Sequence, residues 1–215
     1  MSQALLEEYI ETGNIIELSA LLKAQPQLAI QKTSQHVSPI MLSSYYKKPE
    51  IAEILFNYSP NITIYEAVAL NKLDIIKDAL NINPTIINEF SDDGFSLLYL
   101  ASYFGNENIT HLLLLKGANP NIPSNNVYRI YPLHIAVENK FTMIAKMLIE
   151  GGADCSFTQF SGISPLHLAA KNGNIDLLIV LLEAGANVNI KNHDGKSPAD
   201  LALENGFNEI SKILS

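Results

Sequence analysis

The chain has 215 residues, of which 17% are charged, and a formal net charge of −8. An acidic surface of this kind argues against nucleic acid as a partner, because it repels phosphate groups. The only cysteine, Cys155, cannot form an internal disulfide. The apolar runs are too short to span a bilayer, and the acidic start MSQALLEEYIETG lacks the pattern of a secretory signal. These features predict a cytoplasmic protein without membrane contact.

A short motif returns along the chain in seven copies. They begin with the degenerate LLEEYIETG (5–13), SPIMLSS (38–44) and TIYEAVA (63–69) and continue with SLLYLAS (96–102), YPLHIAV (131–137), SPLHLAA (164–170) and SPADLAL (197–203). The position of the histidine, here called the anchor position, recurs at steps of 33 to 35 residues, except for a step of 24 between the second and third copies. It falls at Glu7, Met41, Tyr65, Tyr99, His134, His167 and Asp200. A fixed period of this length is typical of proteins built from stacked units.

Each copy also predicts a local structure. In the sixth copy, Ser164 suits the N-cap of a helix, Pro165 suits its first position, and Gly173 suits a left-handed residue after its end. The following run IDLLIVLLEAG predicts a second helix that faces inward with Leu178, Leu181 and Leu182. A Gly-Ala pair lies eighteen residues after the anchor position in copies four to six, and an Asp-Gly turn at 194–195 favours a tight hairpin between units.

The motif and the Gly-Ala pair together resemble the ankyrin-repeat family, whose hallmark is T-P-L-H-x-A. The resemblance implies an all-α repeat solenoid of about seven helix-turn-helix units with β-hairpin finger loops. We expect one ankyrin-repeat domain over residues 1–215, with units at about 1–34, 35–61, 62–91, 92–126, 127–159, 160–192 and 193–215. It also implies that the anchor histidine hydrogen-bonds to backbone and to the neighbouring unit.

An enzymatic interpretation finds little support in the sequence. Ser164, His167 and Lys171 look like a catalytic group, but each recurs as part of the repeat. His134 and His167 lie one repeat apart, roughly 10 Å if their helices are packed neighbours, so we expect no shared metal. Cys155 has no visible basic partner. We therefore predict no catalytic residue, cofactor or metal site, and an enzyme on a repeat scaffold stays an alternative of a different class.

The resemblance implies that a partner binds on the concave face, which finger residues and the exposed ends of the inner helices build. Large aromatic and apolar residues, with the only arginine of the chain, occupy these positions. Side chains of this kind often dominate binding interfaces, although some of the rings could instead fill gaps left by degenerate units. The predicted partner-binding residues are Tyr45, Tyr46, Leu70, Phe95, Tyr103, Phe104, Tyr128, Arg129 and Phe160.

The sequence therefore predicts a non-enzymatic module that binds another protein and regulates or scaffolds an intracellular partner. We expect the chain to be monomeric on its own, with neither nucleic acid nor membrane as a partner. An exported effector that acts on host proteins, and self-association through the aromatic residues, stay open as alternatives.

Overall fold

The computed structural model describes residues 2–215, which fold into fourteen α-helices joined by short turns and loops. The helices are α1 (Ser2–Thr12), α2 (Ile15–Ala24), α3 (Pro39–Tyr45), α4 (Pro49–Asn57), α5 (Ile64–Ala69), α6 (Leu73–Ile82), α7 (Leu97–Phe104), α8 (Glu107–Leu115), α9 (Pro132–Glu138), α10 (Thr142–Glu150), α11 (Pro165–Lys171), α12 (Ile175–Glu183), α13 (Pro198–Glu204) and α14 (Asn208–Ile213). Two 3₁₀ helices cover Pro26–Ala29 and Pro84–Asn88. The all-helical repeat fold expected from the sequence is confirmed.

The chain divides into two compact bodies, a first body that ends at Pro84 and a second body, Thr85–Ser215. In the first body, α1 packs against α2, α3 against α4 and α5 against α6, while α3 also contacts α1 and α5. Leucine and isoleucine side chains of the successive pairs fill one continuous core, which includes Leu6, Leu18, Ile40, Ile51 and Leu55.

The second body holds four further helix pairs in two rows. The inner row is α7, α9, α11 and α13, each packed on the next, and α8, α10 and α12 form an outer row in the same order. Only neighbouring pairs make substantial contacts, as expected for a stacked array. The finger loops before α7, α9, α11 and α13 carry almost no regular strand, and within residues 2–215 the one isolated β-bridge joins Phe90 to Ser96.

A side-chain hydroxyl caps the start of most inner helices. Its oxygen accepts a hydrogen bond from the backbone N–H three residues on, which satisfies one of the donors that a helix leaves unpaired at its start. The capping residues are Ser38, Thr63, Ser96, Ser164 and Ser197. Helix α9 differs, because Tyr131 occupies this place and makes no side-chain cap.

Buried anchor histidines join neighbouring pairs of the second body. His134 Nε2 lies 3.0 Å from the carbonyl oxygen of Ile163, and His167 Nε2 lies 3.0 Å from that of Lys196. A carbonyl oxygen only accepts, so Nε2 carries the proton in both rings. The role that the family resemblance implied for these histidines is confirmed.

Gly173 follows the end of α11 and lies against the ring of Phe207. Substitution of this glycine therefore tests how much the contact contributes to stability. Its φ is +64°, and a Cβ at this position would lie 2.3 Å from the Phe207 ring. We expect Gly173→Ala to lower the free energy of unfolding by about 2–4 kcal/mol, because left-handed backbone strain adds to displacement of the ring. Thermal or denaturant unfolding measures the loss.

The matched control is Gly185→Ala. Gly185 has a φ of +83°, and a Cβ at this position would have no atom within 4 Å, so this variant carries the backbone strain alone. We expect Gly185→Ala to lower the free energy of unfolding by about 1–2 kcal/mol. Equal losses in the two variants would contradict the packing of Phe207 on Gly173.

Candidate protein-binding surface

The predicted binding residues of the first body lie at the ends of α3 and α5. Tyr45 is half-buried and Tyr46 is 37% exposed. Leu70 requires a correction to the expected surface, since it is only 9% exposed and belongs to the hydrophobic core of the first body. The leucine follows the last turn of a short helix, where its side chain turns inward. Tyr46 is therefore the most accessible of the three residues.

A ladder of aromatic rings runs along α7 in the second body. The Phe95 ring stacks on Tyr99 at 4.5 Å between centroids, Tyr99 stacks on Tyr103 at 6.4 Å, and Tyr103 meets Phe104 edge-on at 5.1 Å. Phe95, Tyr103 and Phe104 are half-buried, so part of each ring is structural. Tyr99, the anchor residue that supports the ladder, was not among the predicted residues.

Tyr99 remains a neutral phenol within the ladder. Its side chain is 5% exposed, and burial, with a smaller effect from Tyr103, raises its pKa above the ordinary tyrosine value. The ladder therefore offers ring edges and faces for packing and no ionised group.

The finger loop before α9 projects two of the exposed predicted residues, Tyr128 and Arg129. Ser124 and Asn126 brace this turn: the Ile130 N–H donates to Ser124 Oγ at 3.0 Å and the Tyr128 N–H to Asn126 Oδ1 at 3.1 Å. Tyr128 is left 64% exposed, and Arg129 beside it is also exposed. The turn is thus a fixed support for side chains that point away from the core.

Arg129 has an unusual backbone conformation. Its φ is +48°, in the left-handed region that disfavours residues with a Cβ. The equivalent positions in the other three fingers of the second body are glycines with positive φ, namely Gly94, Gly162 and Gly195. The only arginine of the chain therefore stands where the fold favours glycine.

Backbone hydrogen bonds connect neighbouring fingertips. The Phe160 N–H donates to the Tyr128 carbonyl at 3.1 Å, and the His193 N–H donates to the Ser161 carbonyl at 3.1 Å. Phe160 is 71% exposed, and its ring meets the His193 ring edge-on at 6.4 Å between centroids. Tyr128, Arg129 and Phe160 thus form one continuous group, which we call the fingertip ridge.

Two pockets adjoin the fingertip ridge. A fingertip pocket of about 360 Å³ is lined by polar side chains and aromatic rings, among them Arg129, Tyr131, Phe157, Thr158, Phe160 and His193. An inner pocket of about 330 Å³ lies between the fingers and the inner helices and has an aliphatic lining with Glu138 and Lys171. Sequence periodicity could not reveal either pocket, because each is formed by residues from two or more units.

The histidines and the cysteine that the sequence offered as possible catalytic groups lie within the packed repeat scaffold. Burial lowers the pKa of His134 to about 4 and also lowers that of His167, which keeps both imidazoles neutral. Burial, helped by Asp154, raises the pKa of the Cys155 thiol, so it is a poor nucleophile at neutral pH. Within residues 2–215, no group of three or more His, Cys, Asp or Glu side chains is placed to hold a metal ion. Helices long and apolar enough to cross a bilayer are also absent from this part of the chain.

The stacked helix pairs, the histidine joints and the exposed fingertips define a repeat protein of the kind that serves as a protein-interaction module. A family model described as ankyrin repeats in three copies matches residues 64–159 and 133–215, which together cover more than half of the chain. The chain belongs to the ankyrin-repeat family. Members of this family are typically interaction scaffolds without catalytic activity.

Three similar proteins come from different sources. The chain is 44% identical over 66 residues to a putative ankyrin repeat protein of Fowlpox virus and 34% identical over 109 residues to one of Acanthamoeba polyphaga mimivirus. It is also 28% identical over 147 residues to a glycerophosphocholine phosphodiesterase of Candida albicans. These alignments cover 31%, 44% and 63% of this chain. They span only 35%, 19% and 12% of the respective relatives.

Proposed function

We propose that the chain binds a protein partner through the fingertip ridge and the inner-helix side of the second body, the face that corresponds to the concave side of an ankyrin array. Binding regulates or scaffolds an intracellular partner, and the chain acts as one cytoplasmic, monomeric domain without enzymatic activity of its own. The observation that carries the proposal is the pair Tyr128 and Phe160, two large rings that are 64% and 71% exposed on fingertips joined by a backbone hydrogen bond.

The support beneath the ridge favours binding. Exposed rings lose little conformational freedom on binding because they have only two side-chain torsions, and here the backbone beneath them is already fixed. Tyrosine and arginine are also the residue types that most often dominate binding energy. Tyr46 in the first body is proposed as a further contact, of the same chemical kind.

We expect the double variant Tyr128→Ala, Phe160→Ala to lose its partner while the thermal unfolding midpoint changes little. Both rings are mostly exposed, so the fold depends on them weakly, and their removal takes away the centre of the proposed interface. The measurement is quantitative affinity capture from a cell lysate, with proteins identified by mass spectrometry, for wild type and variant side by side.

The control is the double variant Leu115→Ala, Ile175→Ala, which removes two apolar side chains that are 73% and 61% exposed at positions outside the fingers. It should capture the same partner as wild type. If both double variants retain the partner, or if the control loses it equally, the fingertip ridge is not the binding site.

A further inference from the structure

We infer that the fingertip pocket receives the carboxylate of an aspartate or glutamate from the protein partner, next to an apolar residue of the same segment. The inference deepens the proposed function and rests on it, since it assigns a chemistry to the segment that the ridge binds. It is carried by the composition of the pocket, the state of Arg129 and the backbone beneath it.

The lining of the fingertip pocket contains hydrogen-bond donors and no acidic side chain. None of the eight residues that line it is acidic, although the whole chain has 22 acidic residues against 14 lysines and arginines. Arg129, Thr158, Gln159 and His193 each bring a side-chain N–H or O–H donor to the lining. A carboxylate is the common protein group that only accepts hydrogen bonds and carries the opposite charge to arginine.

The guanidinium of Arg129 is available for such a group. Among the side chains of residues 2–215, none forms a hydrogen bond or an ion pair with it. The carboxylate of Asp154, two residues before Ser156 of the pocket lining, is already engaged by the Ser156 hydroxyl and by the Ser156 backbone N–H at 2.8 Å, interactions that lower its pKa. An arginine presents paired donors that match the two oxygens of a carboxylate.

The backbone at Arg129 indicates that the side chain matters at this position. Three other fingers of the second body place glycine in the same left-handed conformation, and glycine adopts it without steric strain. A non-glycine residue in this region is held there against its own preference, a pattern that concentrates at functional sites. The arginine therefore provides a group that glycine lacks. That group is an unpaired guanidinium at the fingertip pocket.

The aromatic rings of the lining are the reason to expect an apolar residue beside the acidic one in the bound segment. Tyr131 and Phe157 lie 5.1 Å apart between centroids, and Phe160 borders the same space. Rings beside a charge pair reduce its contact with water, which strengthens the electrostatic attraction. A segment with an acidic residue next to an apolar one would fill both parts of the pocket.

The test selects random short peptides displayed on phage against the full chain. We expect the selected peptides to share an aspartate or glutamate at a fixed position beside an apolar residue. Synthetic versions should bind Arg129→Gln about tenfold or more weakly than wild type, which is the size of one lost charge-assisted hydrogen bond. Arg129→Lys keeps the charge and loses the paired donors, so its affinity for the peptides should lie between those of wild type and Arg129→Gln.

Exchange of the peptide's acidic residue for its amide completes a double-mutant cycle. The amide peptide should lose affinity for wild type by a similar factor and lose little more on Arg129→Gln, because the two changes remove the same contact. Arg129→Gly is the folding control, since it removes the side chain while the backbone conformation becomes favourable. It should bind as weakly as Arg129→Gln, with a melting midpoint no lower than that of wild type.

Several results would overturn the inference. These are selection of no peptide, selection of peptides without an acidic position, equal affinity for wild type and Arg129→Gln, or binding only when the acidic residue is replaced by a phosphoserine. The inference and the proposed function can fail separately. If the captured partner is lost by Tyr128→Ala, Phe160→Ala but retained in full by Arg129→Gln, the ridge stands as the binding site and the acidic recognition alone is wrong. If Tyr128→Ala, Phe160→Ala retains the partner, the proposed function itself is wrong.

Discussion

Acidification from pH 7 to pH 4 is expected to lower the free energy of unfolding by about 3 kcal/mol through His134 alone. Burial holds the pKa of this histidine at about 4, whereas an unfolded histidine titrates near 6.5. Between these values the unfolded chain binds a proton that the folded chain does not, so stability falls as the pH falls. The difference of roughly 2.5 pKa units corresponds to about 3 kcal/mol.

Burial is the main cause of the low pKa of His134, and the missing cap of α9 adds to it. In α11, the Ser164 hydroxyl lies 2.8 Å from His167 Nδ1, and the Ser164 backbone N–H also donates to this nitrogen at 3.2 Å. In α9, Tyr131 replaces the serine, and the buried Nδ1 of His134 has no hydrogen-bond partner among the described residues. A proton added at this nitrogen would be buried without an acceptor, which opposes ionisation of the ring.

Denaturant unfolding of the full chain at a series of pH values measures this effect. His134→Gln is the matched variant, since its side-chain amide keeps a donor for the Ile163 carbonyl and does not titrate. In the variant we expect the free energy of unfolding to fall much less between pH 6.5 and 4 than in wild type. The fall that remains comes from His167, whose pKa is also lowered by burial. Asp154 and Asp200 have lowered pKa values, so their contributions are lost only at lower pH. Identical declines in wild type and variant would contradict the assignment to His134.

Truncation of one leucine in α12 should lower the free energy of unfolding by an amount similar to that expected from acidification. Leu181 is fully buried within the second body, on the face of α12 that points to the inner row. Leu181→Ala removes its buried methyl groups and leaves a cavity that short, tightly packed helices cannot readily close. We expect the free energy of unfolding to fall by about 2–5 kcal/mol.

The same helix supplies the control. Ile179 lies two residues earlier and is 50% exposed, so Ile179→Ala should change the free energy of unfolding by no more than about 1 kcal/mol. Hydrogen exchange of amides in α11 to α14 would show where the Leu181→Ala variant opens. A loss in Leu181→Ala no larger than that in Ile179→Ala would contradict the packing of α12 on the second body.

The scaffold could be predicted from the sequence because its determinants are local and repeated. Ser164 caps a helix through its own backbone neighbours, Gly173 ends that helix at +64°, and His167 reaches the next unit through one ring nitrogen. Each of these interactions involves residue types that recur at a fixed spacing. A periodic pattern therefore contains nearly all the information that the stacked helix pairs require.

The candidate surface was less predictable because it depends on the departures from the pattern. Leu70 and Tyr103 each lie seven residues after the residue that caps their helix. Leu70 nevertheless packs into the core, whereas Tyr103 stacks in a ring ladder on Tyr99. The left-handed conformation of Arg129 is an exception, because motif spacing does indicate it: Gly94, Gly162 and Gly195 stand two residues before the motif in the other fingers of the second body. Which neighbour a side chain meets across a unit boundary is a property of the folded chain that no motif spacing contains.

The histidine joints have a consequence for how such a chain can change over generations. The step from His134 to its acceptor Ile163 is 29 residues, and the step from His167 to Lys196 is the same. Because both joints have this spacing and the same Nε2-to-carbonyl contact, an in-frame duplication or deletion of one helix pair would leave each remaining histidine 29 residues before an acceptor carbonyl. The length of the array is then free to drift, while each finger can diverge separately and supply new side chains such as Arg129.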